Sequence, residues 1–385
     1  MIGNGMILPI IPVIFTDPTS PSFILHGSSQ QQQFLIAGLV TALFGIMQFI
    51  ASPLLGELSD SFGRKKLLCL CIATLAFSQA LFAIGISQES LLIILVSRAF
   101  AGLAAANLSI AQAAIVDITQ LQDRAKNFGL IGGAFGIGFI LGPLLGGWIA
   151  YYTGSVTSPF WFAGILGLLN LISCYLFLPE TLKNPKASHS FNLLKGLHNL
   201  HQAYIEKNVR RIYLARFLYL AGFTLIFSFL GVFLVSQFKL STSEVGTFFG
   251  IVGIFMIITQ LLILRILTKK FNEKSILCVS LPMLALVIGT YPFIQNVTLI
   301  YLIIPFMAIP QGLSVSNMMA LISKSVLPDR QGVALGINGS LIALSQGIMP
   351  LLAGILSGLI GIKSPFITGS IFILIAWIVL FAKTK

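Results

Sequence analysis

Few side chains of this sequence invite a chemical explanation: Arg98, set inside an apolar run, and the charged group Asp60, Arg64 and Lys65. A charge at the centre of a membrane helix costs about 2.5–3.5 kcal/mol on the insertion scale, so Arg98 is a functional candidate, with a structural arginine bonded to backbone carbonyls as the alternative. Asp60, Arg64 and Lys65 fall in G-E-L-S-D-S-F-G-R-K-K-L-L, Gly56 to Leu68, a charged stretch between two apolar runs that predicts a tight turn. Within it Gly56 allows close helix packing and Gly63 permits a turn that bulkier residues would strain. Asp60 is placed to cap a helix start or to pair with a basic group across a seam. Proton chemistry is thinly provided. Asp17, Glu57, Asp60 and Asp117 lie at helix ends, and Glu89, Asp123, Glu180, Glu206, Glu244, Glu273 and Asp329 lie in loops or at span edges. His198 and His201 have i, i+3 spacing without thiol or carboxylate companions and read as a solvated face, so no metal is expected. Cys69, Cys71, Cys174 and Cys278 lie in apolar runs without a C-x-x-C pair and read as small buried hydrophobes. No nucleophile elbow or phosphate loop occurs, and neither enzyme activity nor a cofactor is expected.

These residues must be placed by the elements around them. Of 385 residues, 56% are hydrophobic and 9% charged, and the mean hydropathy is +0.97. A soluble domain carries roughly 25% charged residues, so this composition is that of an integral membrane protein. Spans of about 20 residues leave room for about twelve helices. The 36 glycines and 16 prolines argue for closely packed, locally broken helices. The short alternating segments of a β-barrel do not appear. The apolar runs predict an all-α chain: helix 1 over Ile2–Thr16, helix 2 over Phe34–Glu57, helix 3 over Leu67–Ile86, helix 4 over Leu91–Ile118, a Gly-rich helix 5 ending near Tyr152, and helix 6 over Pro159–Leu178. Helix 7 follows over Arg211–Ser236, then helices 8 to 12 over Glu244–Leu267, Ser275–Ile294, Thr298–Ile322, Gly332–Ile360 and Pro365–Ala382. Residues 1–178 thus form one half, 179–210 a linker, and 211–385 a second half. In the linker Phe191, Leu194, Leu197, His198, His201 and Ile205 recur near helical spacing, which predicts an amphipathic surface helix.

Charge sets the orientation. Eighteen Lys and Arg fall in the even-to-odd joins and at the C-terminus, against only Lys239 and Lys363 on the other side. Both termini and the linker are therefore expected to be cytoplasmic. The net charge of +12 reads as a topological signal and an attraction to anionic membrane lipid, with no role for nucleic acid.

The chain also repeats itself. Leu58, Phe62, Lys65 and Leu68 recur 209 positions later as Leu267, Phe271, Lys274 and Leu277, while L-Q-D-R from Leu121 matches L-P-D-R from Leu327 at 206. G-P-L-L-G-G from Gly142 matches M-P-L-L-A-G from Met349 at 207. Two parallel six-helix repeats around a central site follow. In the second copy Asp60 becomes Lys269 and Arg64 becomes Glu273, which predicts that any latch built on them is lost there. Helix 1 is short beside its repeat partner, and by the repeat it should begin several residues before Met1.

At these residues the chain resembles the major facilitator superfamily. The Gly56–Leu68 stretch matches its helix 2–3 signature, and Arg98 with Gly102 fits the helix 4 R-x-x-x-G pattern. G-F-I-L-G-P-L-L-G-G, Gly138 to Gly147, is similar to the helix 5 signature of the twelve-helix drug:proton antiporters. G-N-G-M-I-L-P-I-I-P, M-Q-F-I-A-S-P and V-D-I-T-Q-L-Q-D-R-A-K-N-F-G-L look like the tetracycline-efflux branch. The resemblance implies a gate built from Gly56, Asp60, Gly63, Arg64, Lys65, Asp117 and Arg124, with Arg64 bridging to Asp117. It implies proton coupling through Arg98 or Asp117. Gly138, Gly142, Gly146 and Gly147 place small residues on one face of helix 5, Pro143 bends it, and a close seam against a helix of the other half is expected. Asn4, Gln48, Gln79, Asn107, Gln112, Gln260, Gln311, Asn317, Asn338 and Gln346 are the candidates for a wet central cavity. One departure stands out: the tetracycline-efflux branch carries an acid just ahead of the helix 1 G-x-G, which would precede Met1, and its helix 3 acid maps near Ser78 or Gln79. The coupling site is thus absent, lost with a leader, or replaced by Asp117 and Arg98. The expectation is a monomeric secondary transporter of a bacterial inner membrane that exports small amphipathic organic molecules in exchange for protons. A metabolite or siderophore carrier and a non-transporting receptor on the same fold are the alternatives.

Overall fold

The computed structural model describes residues 2–119, 124–182, 207–326 and 331–382, so the amphipathic helix expected within the linker lies outside the described residues. Every regular element among the described residues is helical. Eleven segments are long and apolar enough to cross a membrane. The first expected helix is the exception: α1 is two short pieces, Ile2–Gly5 and Ile11–Phe15, joined by turns.

The remaining helices follow the predicted order. They are α2 (Gln30–Phe62), α3 (Arg64–Ser87), α4 (Leu91–Ala104 with Asn107–Ile118), α5 (Arg124–Thr153), α6 (Ser158–Phe177) and α7 (Lys207–Phe238). Then come α8 (Thr242–Ile258, continuing through a π-helical turn Thr259–Ile263 into Leu264–Leu267), α9 (Glu273–Thr290), α10 (Val297–Leu302 with Ile304–Lys324), α11 (Gln331–Leu359) and α12 (Ser364–Phe381). Local chemistry explains several boundaries. Ser29 accepts from the Gln32 backbone N–H while Gln32 returns a bond to Ser29, a capping box that starts α2 a turn earlier than its apolar run. Ser241 and Glu244 do the same for α8. The expected turn at Gly56–Leu68 is mostly helix: α2 runs on to Phe62, and Gly63 alone makes the corner.

The two halves meet along two seams, α2 against α11 and α5 against α8. The repeat maps α2 onto α8 and α11 onto α5, so the seams are related by one pseudo-two-fold axis. Glycines bring the backbones together. A Cβ on Gly38 would stand 2.5 Å from the Pro350 carbonyl, and one on Gly354 the same distance from that of Phe34. On the other seam, a Cβ on Gly147 would lie 2.5 Å from the Thr242 carbonyl and 3.0 Å from Gly246. With no hydrophobic drive between helices in lipid, such close packing is what holds them. Aromatic rings fill the second half, with Tyr291 stacked on Phe366 at 5.8 Å and 11°. The outer face of α6 exposes Leu169, Ile172, Leu176 and Phe177, as a lipid-facing helix must.

Candidate functional site

The charged corner between α2 and α3 is closed by residues from α2, α3 and α4 and from the segment that follows α6. The Arg64 side chain is only 7% exposed; its Nη2 lies 2.5 Å from Asp60 Oδ1 and its Nε 3.0 Å from Asp117 Oδ2. Its Nη1 donates to Ser59 Oγ at 2.5 Å, and Thr181 Oγ1 donates to Asp117 Oδ2 at 3.3 Å. Asp60 therefore pairs across the Gly63 corner with the first residue of α3, four positions on. Lys65 Nζ sits 5.3 Å over the Tyr175 ring. The Arg124 side chain lies outside the described residues.

Glu180 completes the corner and was not singled out by sequence reasoning, which left it in a loop. Its Oε1 accepts from the Arg64 and Leu182 backbone N–H groups, both at 2.9 Å, and its Oε2 from Lys65 N–H at 3.2 Å. It thus satisfies the open amides at the start of α3, where a negative charge also complements the helix dipole. Partial burial raises the Glu180 pKa, but the backbone N–H bonds outweigh it, and the carboxyl titrates below its usual range. Gly63 makes the contact possible. Its φ is +97°, and a Cβ there would lie 2.5 Å from Glu180 Oε2. The available signal was the L-P-E-T directly after helix 6.

The second copy corrects an expectation. Glu273, in the register of Arg64, pairs with Lys324 at 2.5 Å. Lys324 stands 207 positions after Asp117. The ion pair is kept with its signs exchanged, not lost.

The intramembrane polar candidates separate into distinct environments. Arg98 is 4% exposed, with its guanidinium carbon 4.9 Å from the Phe44 ring centre and 5.8 Å from that of Phe82. Its Nε has no hydrogen-bond partner among the described residues, nor do Asn4 Oδ1, Gln48 Oε1, Gln79 Oε1 and Gln311 Oε1. Gln79 is buried behind α1: a Cβ on Gly3 would come within 2.8 Å of its Nε2. Arg216 is 4% exposed and donates from Nε to Asn338 Oδ1 at 3.0 Å. Gln260 bridges α8 to α10, donating to the Gly312 carbonyl at 3.2 Å and accepting from Ser316 Oγ at 2.8 Å. Asn317 is turned back on its own helix, to the Leu313 carbonyl at 2.8 Å. Asn107, Gln112 and Gln346 are half-buried.

The small face of α5 serves two neighbours where one seam was expected. A Cβ on Gly142 would meet Gly5 Cα at 2.8 Å and one on Gly146 would meet Met6 Cα at 2.8 Å, both in α1 of the same half. Pro143 and the Gly138 carbonyl also border Gly5. Against the other half stand Gly147 and, facing Gly246, Gly250 and Gly253 of α8, Pro143, Leu144 and Ile140.

Along both seams the contact is one-sided. Gly38 and Gly45 of α2, Gly147 of α5, and Gly347 and Gly354 of α11 are pressed on neighbouring backbone. Nearer the face carrying Arg64 and Lys324, Gly56 of α2, Gly136 of α5 and Gly339 of α11 have nothing within 4 Å. The close backbone contacts seen across the seams among the described residues thus run from mid-helix toward the face opposite Arg64 and Lys324. No group of three or more His, Cys, Asp or Glu suited to a metal occurs among the described residues, and the closest thiols are Cys69 and Cys174 at 3.6 Å.

Comparison with known proteins gives one family. The family described as Major Facilitator Superfamily matches residues 1–211 and 212–385. The chain is 28% identical over 367 residues to tetracycline resistance protein, class C, of Escherichia coli, covering 90% of this chain and 83% of that one. It is 27% identical over 380 residues to multidrug resistance protein 2 of Bacillus subtilis, covering 95% and 88%. Its fold matches the crystal structure of the human organic anion transporter MFSD10 with a TM-score of 0.74 at 24% identity, over 98% of this chain and 95% of that one.

Proposed function

The chain belongs to the major facilitator superfamily, and from that premise we propose that it exports small amphipathic organic compounds by alternating access in exchange for protons. One observation supports the reading: two halves packed closely on glycines along two seams, with buried polar side chains left unpartnered among the described residues. That is the arrangement a carrier needs to offer a site to one side at a time. The efflux direction and the proton arm draw support from the named drug-resistance relatives. By the one-sided Lys and Arg distribution the basic face is cytoplasmic, and the bacterial drug-resistance relatives support a bacterial inner membrane.

In this reading Asp60, Arg64, Asp117 and Glu180 hold the α2–α3 corner as a rigid gate element. Asp117, drawn to Arg64 and bonded by Thr181, and Asp60 are the carboxylates through which protonation would loosen that corner. Such a gate works only if its contacts differ between the two states. The test is flux of candidate compounds in proteoliposomes with and without an imposed pH gradient. Uptake driven by the gradient supports antiport; gradient-independent flux removes the proton arm; absence of flux for every compound favours a receptor. Asp60→Asn is expected to abolish transport with membrane insertion intact, and unchanged flux would remove the gate from the mechanism.

A further inference from the structure

Arg98 is a cation without a counter-charge. Among the described residues no carboxylate forms an ion pair with it. Arg216, the buried arginine of the other half, donates from Nε to Asn338 while its Nη1 has no partner, and Arg98 lacks a partner even at Nε among the described residues. A buried, unpaired guanidinium is expensive to keep unless something arrives to pair with it.

The surroundings of Arg98 define what arrives. Gln79 lies buried on α3, while Asn4 of α1 and Gln48 of α2 are half-buried; each has an amide oxygen without a donor. Phe44, four residues before Gln48 on the same face of α2, is also half-buried, and Phe82 lies on α3 one turn after Gln79. The group is gathered by the two rings that flank Arg98, Phe44 one turn before Gln48 and Phe82 one turn after Gln79, and by Gly3, which sets α1 against Gln79. Arg98 and Gln79 are buried, with Asn4, Phe44 and Gln48 at a half-buried rim. It offers one positive charge, acceptors that want hydroxyl or N–H donors, and two aromatic faces. A plain carboxylate would satisfy the arginine and leave the amides open, and a lipophilic cation would satisfy neither. At roughly 6 Å and an effective dielectric of about 20, repulsion from Arg98 lowers affinity for a monocation about a hundredfold.

We propose that Arg98, Gln79, Gln48 and Asn4 form the binding site for a hydroxylated aromatic carboxylate, with the carboxylate on Arg98 and the hydroxyl donating to the amide oxygens. This deepens the transport reading above and, as cargo, rests on it; binding itself does not.

The test is equilibrium binding of radiolabelled 4-hydroxybenzoate to the full chain in lipid nanodiscs. Binding should be saturable, with benzoate and 4-hydroxybenzyl alcohol each competing at least tenfold more weakly than unlabelled 4-hydroxybenzoate, and tetraphenylphosphonium not competing. Arg98→Gln should weaken 4-hydroxybenzoate at least tenfold and change 4-hydroxybenzyl alcohol less than threefold. Gln48→Leu, at the half-buried rim, should bring 4-hydroxybenzoate and benzoate within threefold of each other, and it serves if Arg98→Gln does not fold. Undiminished affinity in Arg98→Gln, a retained preference for the hydroxyl in Gln48→Leu, or competition by tetraphenylphosphonium at equal concentration overturns the site. Binding that persists without flux in proteoliposomes upholds the site and sinks the transport reading, so the two failures are distinguishable.

Discussion

Gly63 and Glu180 show how tightly one corner is specified. The backbone at Gly63, φ +97° and ψ 147°, lies in a region essentially confined to glycine and costs a residue with a Cβ about 1–3 kcal/mol, before that atom meets Glu180 Oε2 at 2.5 Å. Gly63→Ala is therefore expected to destabilise the detergent-solubilised protein by at least that amount, read as a lowered Tm. Glu180→Gln tests the carboxylate separately. Because the folded-state pKa is depressed, the contribution of Glu180 is fully present above the ordinary carboxylate pKa and is lost as pH falls through the lower folded value. The Tm difference between wild type and Glu180→Gln should hold at neutral pH and vanish in acid; a difference independent of pH would contradict the capping account. At this scale the sequence was legible for charge but not for partners. It marked Asp60, Arg64 and Asp117, yet a pairing of Asp60 with Arg64 across the Gly63 corner and a cap supplied 116 positions away by Glu180 depend on how helices end, which spacing alone does not reveal.

Among the elements, the exchanged ion pair is open to a direct trial. Glu273→Lys and Lys324→Glu each place like charges together, and the double exchange restores the pair. Lys324 is largely exposed, so the coupling should be small, about 0.2–1 kcal/mol in a double-mutant cycle on Tm. A double exchange no better than the sum of the singles would show that the contact is incidental. The small residues of α5 make a stronger prediction. Gly142→Val would push against the backbone of α1 and cost about 1–3 kcal/mol, whereas Gly136→Ala, with nothing within 4 Å, should be tolerated. Helix content and order were readable from hydropathy because every span had to be apolar. The break in α1, the interruption of α4 at Ala105 and Ala106, and the π-helical turn at Thr259 were not, since they depend on which neighbour accepts the freed backbone groups.

For the whole molecule, rocking of the halves about their seams predicts a change of accessibility at the basic face. In a background without other cysteines, Gly56→Cys should react readily with a water-soluble thiol reagent, and conditions that close that face should protect it. Equal reactivity under all conditions would argue against rocking about the seams. The architecture was announced by the repeat offsets, which fixed two copies of one six-helix unit. How the halves move was not, because the same glycines serve a closed and a parted seam alike.

The pseudo-two-fold axis gives the exchanged signs a meaning beyond either half. Symmetry brings equivalent positions toward one another when the basic face closes, so Arg64 would face Glu273 and Asp117 would face Lys324. Two faithful copies would repel like with like at that moment. The inverted copy turns duplicated machinery into its own complement, as a plug is to its socket.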